Sequence, residues 1–417
     1  MLFRFSLYGF LKNQRYFEPF LLLAMLDVGL SFTQIGLLVA LRELVTATLE
    51  IPSGAIADVL GRRRSMVAAF VGYVAAYVTL ALAHGLAGFA LGMALVGVGD
   101  AFRTGTHKAM VFDWLRSQGR EADKIEVYGY TRSWSQTGSA VSIPVAAATV
   151  YVTGSFVPVF WLSAALAVAN VVNLATYPAY LEGAPQKSRS VREVARHLGR
   201  SLRAVATDPP LRRLLIEAAA FGGTYKVIKD YLQPVVAGLA LSLVILRGLE
   251  AQQATAVTAG VVYVALYVLS ALASRRAHRF VDRFEHPTRA AWWIWIAAGG
   301  SYALLGPMLA WGWTAAAVAG FLALALLHNL FRPLLVSRVD ARSDPTAAAT
   351  VLSVESQATS TAAIVLAPVM GWAVDQASAS GATTWPAAAI AAAVVVATLL
   401  GVVRRDEQSA GTVAPPA

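Results

Sequence analysis

Long apolar runs separated by short polar connections make up the chain from end to end. A membrane-spanning helix needs about 20 mostly apolar residues, and runs of that length occur as six segments, a polar stretch and six more segments. The first six lie near residues 5–29, 34–57, 65–84, 87–114, 127–150 and 156–180. The second six lie near residues 211–240, 251–274, 290–311, 313–336, 346–374 and 384–403. The pattern predicts an all-α polytopic membrane protein with 12 transmembrane helices in two six-helix bundles.

The composition agrees with this interpretation. Apolar residues make up 57% and charged residues 14% of the 417 positions, whereas a soluble domain carries about 25% charged residues. A soluble protein is therefore excluded. The chain has no cysteine, so disulfides and cysteine-ligated metals are excluded too. We expect no metal and no cofactor.

Soluble enzyme motifs are also missing from the sequence. The chain has neither a His-Glu-x-x-His pair nor a Gly-x-x-x-x-Gly-Lys phosphate loop, the patterns that mark zinc proteases and ATP-binding loops. We therefore expect no enzymatic activity and no transport driven by ATP.

The basic residues predict the orientation of the chain. Its net charge is +10, and most Lys and Arg residues fall in alternate connections, which identifies those connections as cytoplasmic. Both termini are then cytoplasmic, in a multi-pass protein of the cytoplasmic (inner) membrane. Because the basic residues are dispersed over several loops, we expect membrane lipids as partners and no nucleic acid. The predicted organisation is an N-terminal bundle (residues 1–181), a basic cytoplasmic linker (182–210), a C-terminal bundle (211–403) and a cytoplasmic tail (404–417).

The two halves resemble each other weakly. Phe102-Arg103 in the fourth segment matches Phe331-Arg332 in the tenth, and Ser135-Gln136 in the fifth matches Ser356-Gln357 in the eleventh. Such pairs indicate an internal duplication, and secondary transporters are built from repeats of this kind around a site near the middle of the membrane.

The connection between the second and third segments carries a motif. Gly54 is followed by Asp58 and Gly61, and then by Arg62, Arg63 and Arg64. This spacing resembles the loop signature of the major facilitator superfamily: Gly, three residues, Asp, two residues, Gly and a cluster of basic residues. Gly61 suits a turn that needs positive φ, and the arginines suit the lipid headgroup zone.

The resemblance implies further properties of the chain. In that family the signature carboxylate, here Asp58, belongs to a cytoplasmic gate that helps to stabilise the outward-open state. The first, fourth, seventh and tenth helices of each member line a central cavity. We therefore expect the cytoplasmic gate at Gly54, Asp58, Gly61 and Arg62–Arg64, and the functional charges on those four helices.

Charged residues inside the predicted spans are the candidates for function. Acidic and basic residues occur there in equal numbers, which predicts ion-pair networks, because an unpaired charge within a membrane is costly. Asp100, Arg103 and His107 share one face of a helix, as do His328 and Arg332, and Lys226 and Asp230 are placed to pair. The expected substrate-binding or coupling residues are Arg15, Glu18, Asp100, Arg103, His107, Arg132, Lys226, Asp230, His328, Arg332 and Glu355.

These residues lead to a hypothesis with two alternatives. Guanidinium groups bind carboxylates and phosphates bidentately, and a buried carboxyl group can carry a proton. We expect a monomeric, proton-coupled secondary transporter of a small organic solute, preferably anionic or zwitterionic, which alternates access by rocking one bundle against the other. The first alternative is a multidrug/proton antiporter that exports lipophilic compounds, and the second is a membrane sensor of the same fold that transports nothing.

Overall fold

The computed structural model describes residues 1–103, 106–120, 123–182, 207–284, 286–340, 348–378 and 384–403. All regular structure in these ranges is helical. The chain forms two compact units. Unit 1 comprises Met1–Leu30, Leu41–Ala195 and Val244–Gly260, and unit 2 comprises Ser31–Ala40, Arg196–Leu243 and Val261–Ala417. Most of the predicted linker and the whole predicted tail lie outside the described residues, so the domain boundaries stay a prediction.

The described residues of the first half of the chain form eight α-helices. They are α1 (Leu2–Lys12), α2 (Leu21–Asp27), α3 (Phe32–Leu60), α4 (Arg62–Ala81), α5 (Leu86–Arg103), α6 (Thr106–Ser117), α7 (Lys124–Thr153) and α8 (Val157–Ala175). A short 3-10 turn, Glu18–Phe20, leads into α2. The predicted fourth segment thus corresponds to α5 and α6 together.

Eight further α-helices lie in the described ranges of the second half. They are α9 (Pro209–Glu217), α10 (Thr224–Ile228), α11 (Leu232–Ser242), α12 (Ala251–Val281), α13 (Pro287–Ala310), α14 (Thr314–Asp340), α15 (Ala348–Ser378) and α16 (Trp385–Thr398). A π-helical stretch, Ala218–Gly223, joins α9 to α10, and a second one, Leu399–Val403, extends α16.

Nine helices in the described part of the chain are long and apolar enough to cross a membrane. They are α3, α4, α5, α8, α12, α13, α14, α15 and the helix that begins with α16. Three predicted spans are not among them. The fifth corresponds to α7, which is continuous but contains the polar run from Arg132 to Gln136. The first and the seventh are interrupted, so the count of 12 and the orientation of the termini stay predictions.

Proline explains the interruption in the first segment. Residues 13–17 are not helical, and Pro19 is the second residue of the 3-10 turn that follows them. A proline has no N–H to donate to the carbonyl four residues earlier, which for Pro19 is the carbonyl of Arg15. The carbonyl of Arg15 accepts instead from the N–H of Glu18 at 3.2 Å. Irregular backbone is tolerated at membrane depth only where protein or a cavity surrounds it. The break in the helix therefore supports Arg15 as a candidate site residue.

The seventh segment is irregular in two places. Its π-helical stretch ends in Gly222-Gly223, and a 3-10 turn, Lys229–Tyr231, precedes α11. Pro234 lies in the first turn of α11 and cannot donate to the carbonyl of Asp230. Single π-helical turns occur frequently at functional sites.

A close backbone approach holds α1 against α7. A Cβ added at Gly138 would lie 2.4 Å from the carbonyl oxygen of Phe10, so only glycine fits there. The Asn13 amide donates to the Ser135 carbonyl at 2.8 Å and to the Ser139 hydroxyl at 3.0 Å. Because small residues let helices approach closely in a membrane, α1 and α7 form one tightly packed pair.

Within unit 2, Asp375 caps the start of α3. Its carboxylate accepts hydrogen bonds from the N–H of Phe32 at 2.9 Å, the N–H of Thr33 at 2.8 Å and the Thr33 hydroxyl at 2.5 Å. The first N–H groups of a helix have no partner inside it, and a carboxylate there is favoured by the helix dipole. The sequence pattern assigns Asp375 to a loop, but α15 continues to Ser378.

We expect Gly138→Ala to lower the melting temperature of the purified protein, since overpacking of this kind costs about 1–3 kcal/mol. Gly129→Ala is the matched control on the same helix, because no atom lies within 4 Å of the added Cβ. Alanine is about 1 kcal/mol better than glycine in a helix, so the control should be neutral or stabilising. Equal melting temperatures of the two variants would contradict the close packing of α1 on α7.

Candidate functional site

A cluster of ionic hydrogen bonds surrounds Asp100 in unit 1. Its Oδ1 atom accepts from Arg15 Nη2 at 3.0 Å, from Arg103 Nη2 at 3.2 Å and from the Tyr73 hydroxyl at 2.6 Å. The side chains of the three charged residues are at most one-fifth exposed. Hydrogen bonds to charged groups are about twice as strong as neutral ones, so this cluster is a rigid, preorganised arrangement.

Three segments supply the cluster. Asp100 and Arg103 lie one turn apart at the end of α5, Tyr73 is on α4, and Arg15 comes from the non-helical stretch after α1. Arg103 Nε donates to the Tyr73 hydroxyl at 2.9 Å, and Arg15 Nη1 donates to Glu18 at 3.0 Å. The structure therefore brings together four of the predicted site residues: Arg15, Glu18, Asp100 and Arg103.

Lys12 adds a further positive charge beside the cluster and was not among the predicted site residues. It lines the same small cavity as Arg15 and Tyr73, and its ammonium lies 6.0 Å from the centre of the Tyr8 ring. Among the described residues no carboxylate is within ion-pair distance of it. Its position three residues before Arg15 is the sequence signal that could have identified it.

Two other predicted residues of unit 1 lie apart from the cluster. The His107 ring stacks on Tyr8 at 3.7 Å, and its Nε2 is 3.4 Å from the Tyr177 hydroxyl, so His107 takes part in aromatic packing. Arg132 is exposed on α7 and has no ion-pair partner in the described part of the chain.

In unit 2 the principal ion pair joins Arg332 on α14 to Glu355 on α15. The two partners differ in exposure, because the Arg332 side chain is 50% exposed and the Glu355 side chain only 2%. Glu355 Oε2 is buried and has no hydrogen-bond partner among the described residues. Half of the arginine side chain is therefore accessible to another partner, whereas the glutamate is enclosed by protein.

The other predicted residues of unit 2 make different contacts. The His328 ring stacks on Tyr225 at 4.1 Å, and its Nδ1 is buried without a partner in the described ranges. The predicted pair of Lys226 and Asp230 does not form. Lys226 donates to the Ser360 hydroxyl at 3.2 Å, and Asp230 pairs with Lys229 at 2.9 Å, because the 3-10 turn at Lys229–Tyr231 changes the helical spacing on which the prediction depended.

A second ion pair in unit 2 was missed by sequence reasoning. Arg338 binds Glu217 through two hydrogen bonds, 2.7 and 3.1 Å long, and both side chains are almost completely buried. The tenth predicted segment ends at residue 336, which assigns Arg338 to a loop, but α14 continues to Asp340. The sequence signal that could have identified this pair is an arginine only two residues beyond the apolar run, where the helix continues.

The described part of the gate motif forms a turn with interhelical contacts. Gly61 has a φ of 92° between α3 and α4. Arg62 pairs with Asp113 on α6, and Arg63 donates to the Tyr177 carbonyl at 2.8 Å. The side-chain positions of Gly54 and Asp58 lie outside the described part of the structure.

The described residues contain no group of three His, Asp or Glu side chains placed to hold a metal ion. What the clusters can do is bind an acidic group through guanidinium and ammonium donors, and exchange ion-pair partners at Arg332.

Comparisons with known proteins agree on one architecture. Residues 13–356 match the family model described as Major Facilitator Superfamily, and no curated protein matches the sequence. Among solved structures, nucleoside transporter NupG superposes with a TM-score of 0.78 at 13% identity, covering 97% of this chain and 99% of that one. A peptide transporter POT in complex with sulfate superposes with a TM-score of 0.69 at 15% identity, covering 97% of this chain and 94% of that one. A POT family transporter in complex with 5-aminolevulinic acid superposes with a TM-score of 0.71 at 12% identity, covering 97% of this chain and 96% of that one. At these identities the likeness shows the fold alone.

Asp100→Asn should destabilise the protein strongly, because the shape is kept while two mostly buried guanidinium groups lose their carboxylate. Breaking such a pair costs about 3–5 kcal/mol, which thermal or denaturant unfolding in detergent can measure. Asp123→Asn is the control, since Asp123 pairs with a half-exposed arginine, Arg120, and exposed pairs contribute about 0–1 kcal/mol. A small effect at Asp100 would show that the cluster does not hold α4, α5 and the first segment together.

Proposed function

The chain belongs to the Major Facilitator Superfamily, and on that premise we propose that it is a proton-coupled secondary transporter of a small organic anion or zwitterion. It acts as a monomer in the cytoplasmic membrane and alternates access by rocking the two predicted bundles. The family assignment accounts for a multi-pass membrane protein of the transporter fold. The substrate class, the coupling and the direction are argued from the side chains.

The observation that carries the proposal is the surplus of positive charge around Asp100. Arg15, Arg103 and Lys12 face only two carboxylates in the described part of unit 1, those of Asp100 and Glu18. Lys12 is half-buried and has no carboxylate partner among the described residues, and an uncompensated charge is costly within a membrane, so the cluster favours a ligand that brings a negative charge. Arginine is suited to this task, because its planar fork binds carboxylate and phosphate groups through two parallel hydrogen bonds.

Glu355 and Arg332 supply the coupling. Because Arg332 is half-exposed, an acidic group of the substrate can compete for it. Glu355 would then remain buried as an unpaired carboxylate, and taking up a proton removes that cost. Anion binding and proton uptake thereby favour each other, as linkage requires.

The solved relatives support the general class of solute. They are described as a nucleoside transporter, a peptide transporter in complex with sulfate and a POT family transporter in complex with 5-aminolevulinic acid. The compounds named there are small and polar, which agrees with the polar and charged side chains around Asp100. The resemblance does not identify the substrate of this chain.

Reconstitution into proteoliposomes tests the proposal. A panel of carboxylates, phosphates, zwitterions and lipophilic drugs is first screened by thermal stabilisation of the purified protein at two pH values, since ligand binding raises apparent stability. Stabilising compounds are then tested for flux and for proton movement. Saturable binding without counterflow would favour a sensor, and neither solute flux nor proton movement across the panel would refute the transporter.

For an acidic solute identified in this way, Arg103→Ala and Arg332→Ala should each lower uptake about 10- to 100-fold, the effect of losing one charge-assisted hydrogen bond of about 1.5–3 kcal/mol. Arg120→Ala, which removes a half-exposed arginine outside both clusters, is the control and should transport normally. Transport of lipophilic drugs that survives both cluster substitutions would favour the multidrug antiporter instead.

Glu355→Gln should separate solute movement from proton movement. The amide imitates the protonated acid and leaves Arg332 free, so counterflow exchange should persist while accumulation driven by a proton gradient is lost. Glu250→Gln, at an exposed position directly before α12, is the control and should keep both activities. If the Glu355→Gln variant accumulates the solute normally under a proton gradient, the coupling proton is carried by another residue.

A further inference from the structure

A small cavity lies beside the Asp100 cluster in unit 1. Lys12, Gln14 and Arg15 line it from the interrupted first segment, Tyr73 and Tyr77 from α4, and Ser163 from α8. Its volume is about 10 Å³, close to the space that holds one water molecule. The cavity therefore accepts a single atom of the second or third row and not a whole carboxylate or phosphate group.

The polar groups in its wall are not all satisfied. Gln14 is only 5% exposed, and its Oε1 has no hydrogen-bond partner among the described residues. The two ends of a glutamine amide are assigned from their contacts, so a half-turn of the amide presents its N–H donors to a ligand instead. The Tyr73 hydroxyl already donates to Asp100, whereas Tyr77 has no hydrogen bond within the described part of the chain.

The charge of the wall decides the sign of the ligand. Arg15 is paired with Asp100 and Glu18, but no described carboxylate pairs with Lys12. Two cationic side chains exclude a metal cation. A neutral water molecule fills the space but leaves the ammonium uncompensated, which is costly at membrane depth. A negatively charged atom satisfies both the charge of Lys12 and the donors of the wall.

We propose that this cavity binds one anionic atom between Lys12, Gln14 and Tyr77. The atom is either a chloride ion or one oxygen of an acidic group on the transported solute. The second source rests on the proposed function, whereas the first is independent of it. In both cases Lys12 is the residue that selects for negative charge, and Arg15 holds the site next to Asp100.

The experiment measures thermal unfolding of the purified full-length protein in detergent at constant ionic strength. Sodium methanesulfonate, which carries neither chloride nor a carboxylate or phosphate group, is replaced stepwise by sodium chloride, sodium acetate or sodium phosphate. We expect the melting temperature to rise with the concentration of the binding anion, as ligand linkage requires. Chloride alone identifies a free ion site, and acetate or phosphate without chloride identifies the acidic group of a solute.

Substitutions test whether the anion binds in the cavity beside Lys12. Lys12→Met should weaken anion binding at least tenfold, and Lys12→Arg should restore it, because charge is the requirement. Gln14→Leu should also weaken binding while all cations remain. Lys229→Met is the matched control, since that lysine pairs with Asp230 in unit 2, and its anion response should equal that of the unmodified protein.

Two results would overturn the inference. One is an unmodified protein that responds to none of the three anions, and the other is a Lys12→Met variant that responds as the unmodified protein does. Gln14→Leu and Lys12→Arg keep the inference testable where Lys12→Met does not fold. Solute flux without any anion response refutes the anion site alone, and an anion response without any flux refutes the transport function alone.

Discussion

The ionic cluster beside the interrupted first segment of unit 1 depends on one carboxylate. Asp100 is the acceptor shared by Arg15, Arg103 and Tyr73, which come from three different segments of the chain. Removing charges from water is costly, and the cost is recovered only when partners are close and well oriented. The position of α5 relative to α4 and to the interrupted first segment is therefore tied to the charge of one side chain. The same bond set fixes the arginines in the orientation from which they can meet a ligand.

The ion pairs of unit 2 are of two kinds, and burial distinguishes them. Glu217 and Arg338 are both enclosed and are joined by two hydrogen bonds, so neither can leave the other without a large desolvation cost. That pair is a permanent structural element. Glu355 is equally buried, but Arg332 extends toward the surface of its unit. One charge is fixed and the other is able to change partners, which is the property that a coupling pair needs.

The apolar pattern was sufficient to predict the helical class and the positions of most helices. Long hydrophobic runs in a membrane form helices, because every backbone polar group must find a partner within the segment. The family resemblance at residues 54–64 was confirmed by the family match. Within one helix, spacing correctly placed Asp100 beside Arg103. The same spacing argument failed for Lys226 and Asp230, because a 3-10 turn changes the rotation per residue there. The apolar pattern failed at Arg338, because the helix continues beyond the end of its apolar run. Contacts between segments, such as Tyr73 with Asp100, depend on packing that a single sequence does not encode locally.

The packing of α1 on α7 has a consequence for motion. Residues up to Asn13 are held by the backbone approach at Gly138 and by the hydrogen bonds to Ser135 and Ser139, so α1 moves with α7 as one body. The 3-10 turn at Glu18 begins on the other side of a stretch without helical hydrogen bonds. A bend of this segment would fall in residues 14–17, which include Arg15. A change in the angle between α1 and α2 would therefore also turn the Arg15 side chain and act on its hydrogen bond to Asp100.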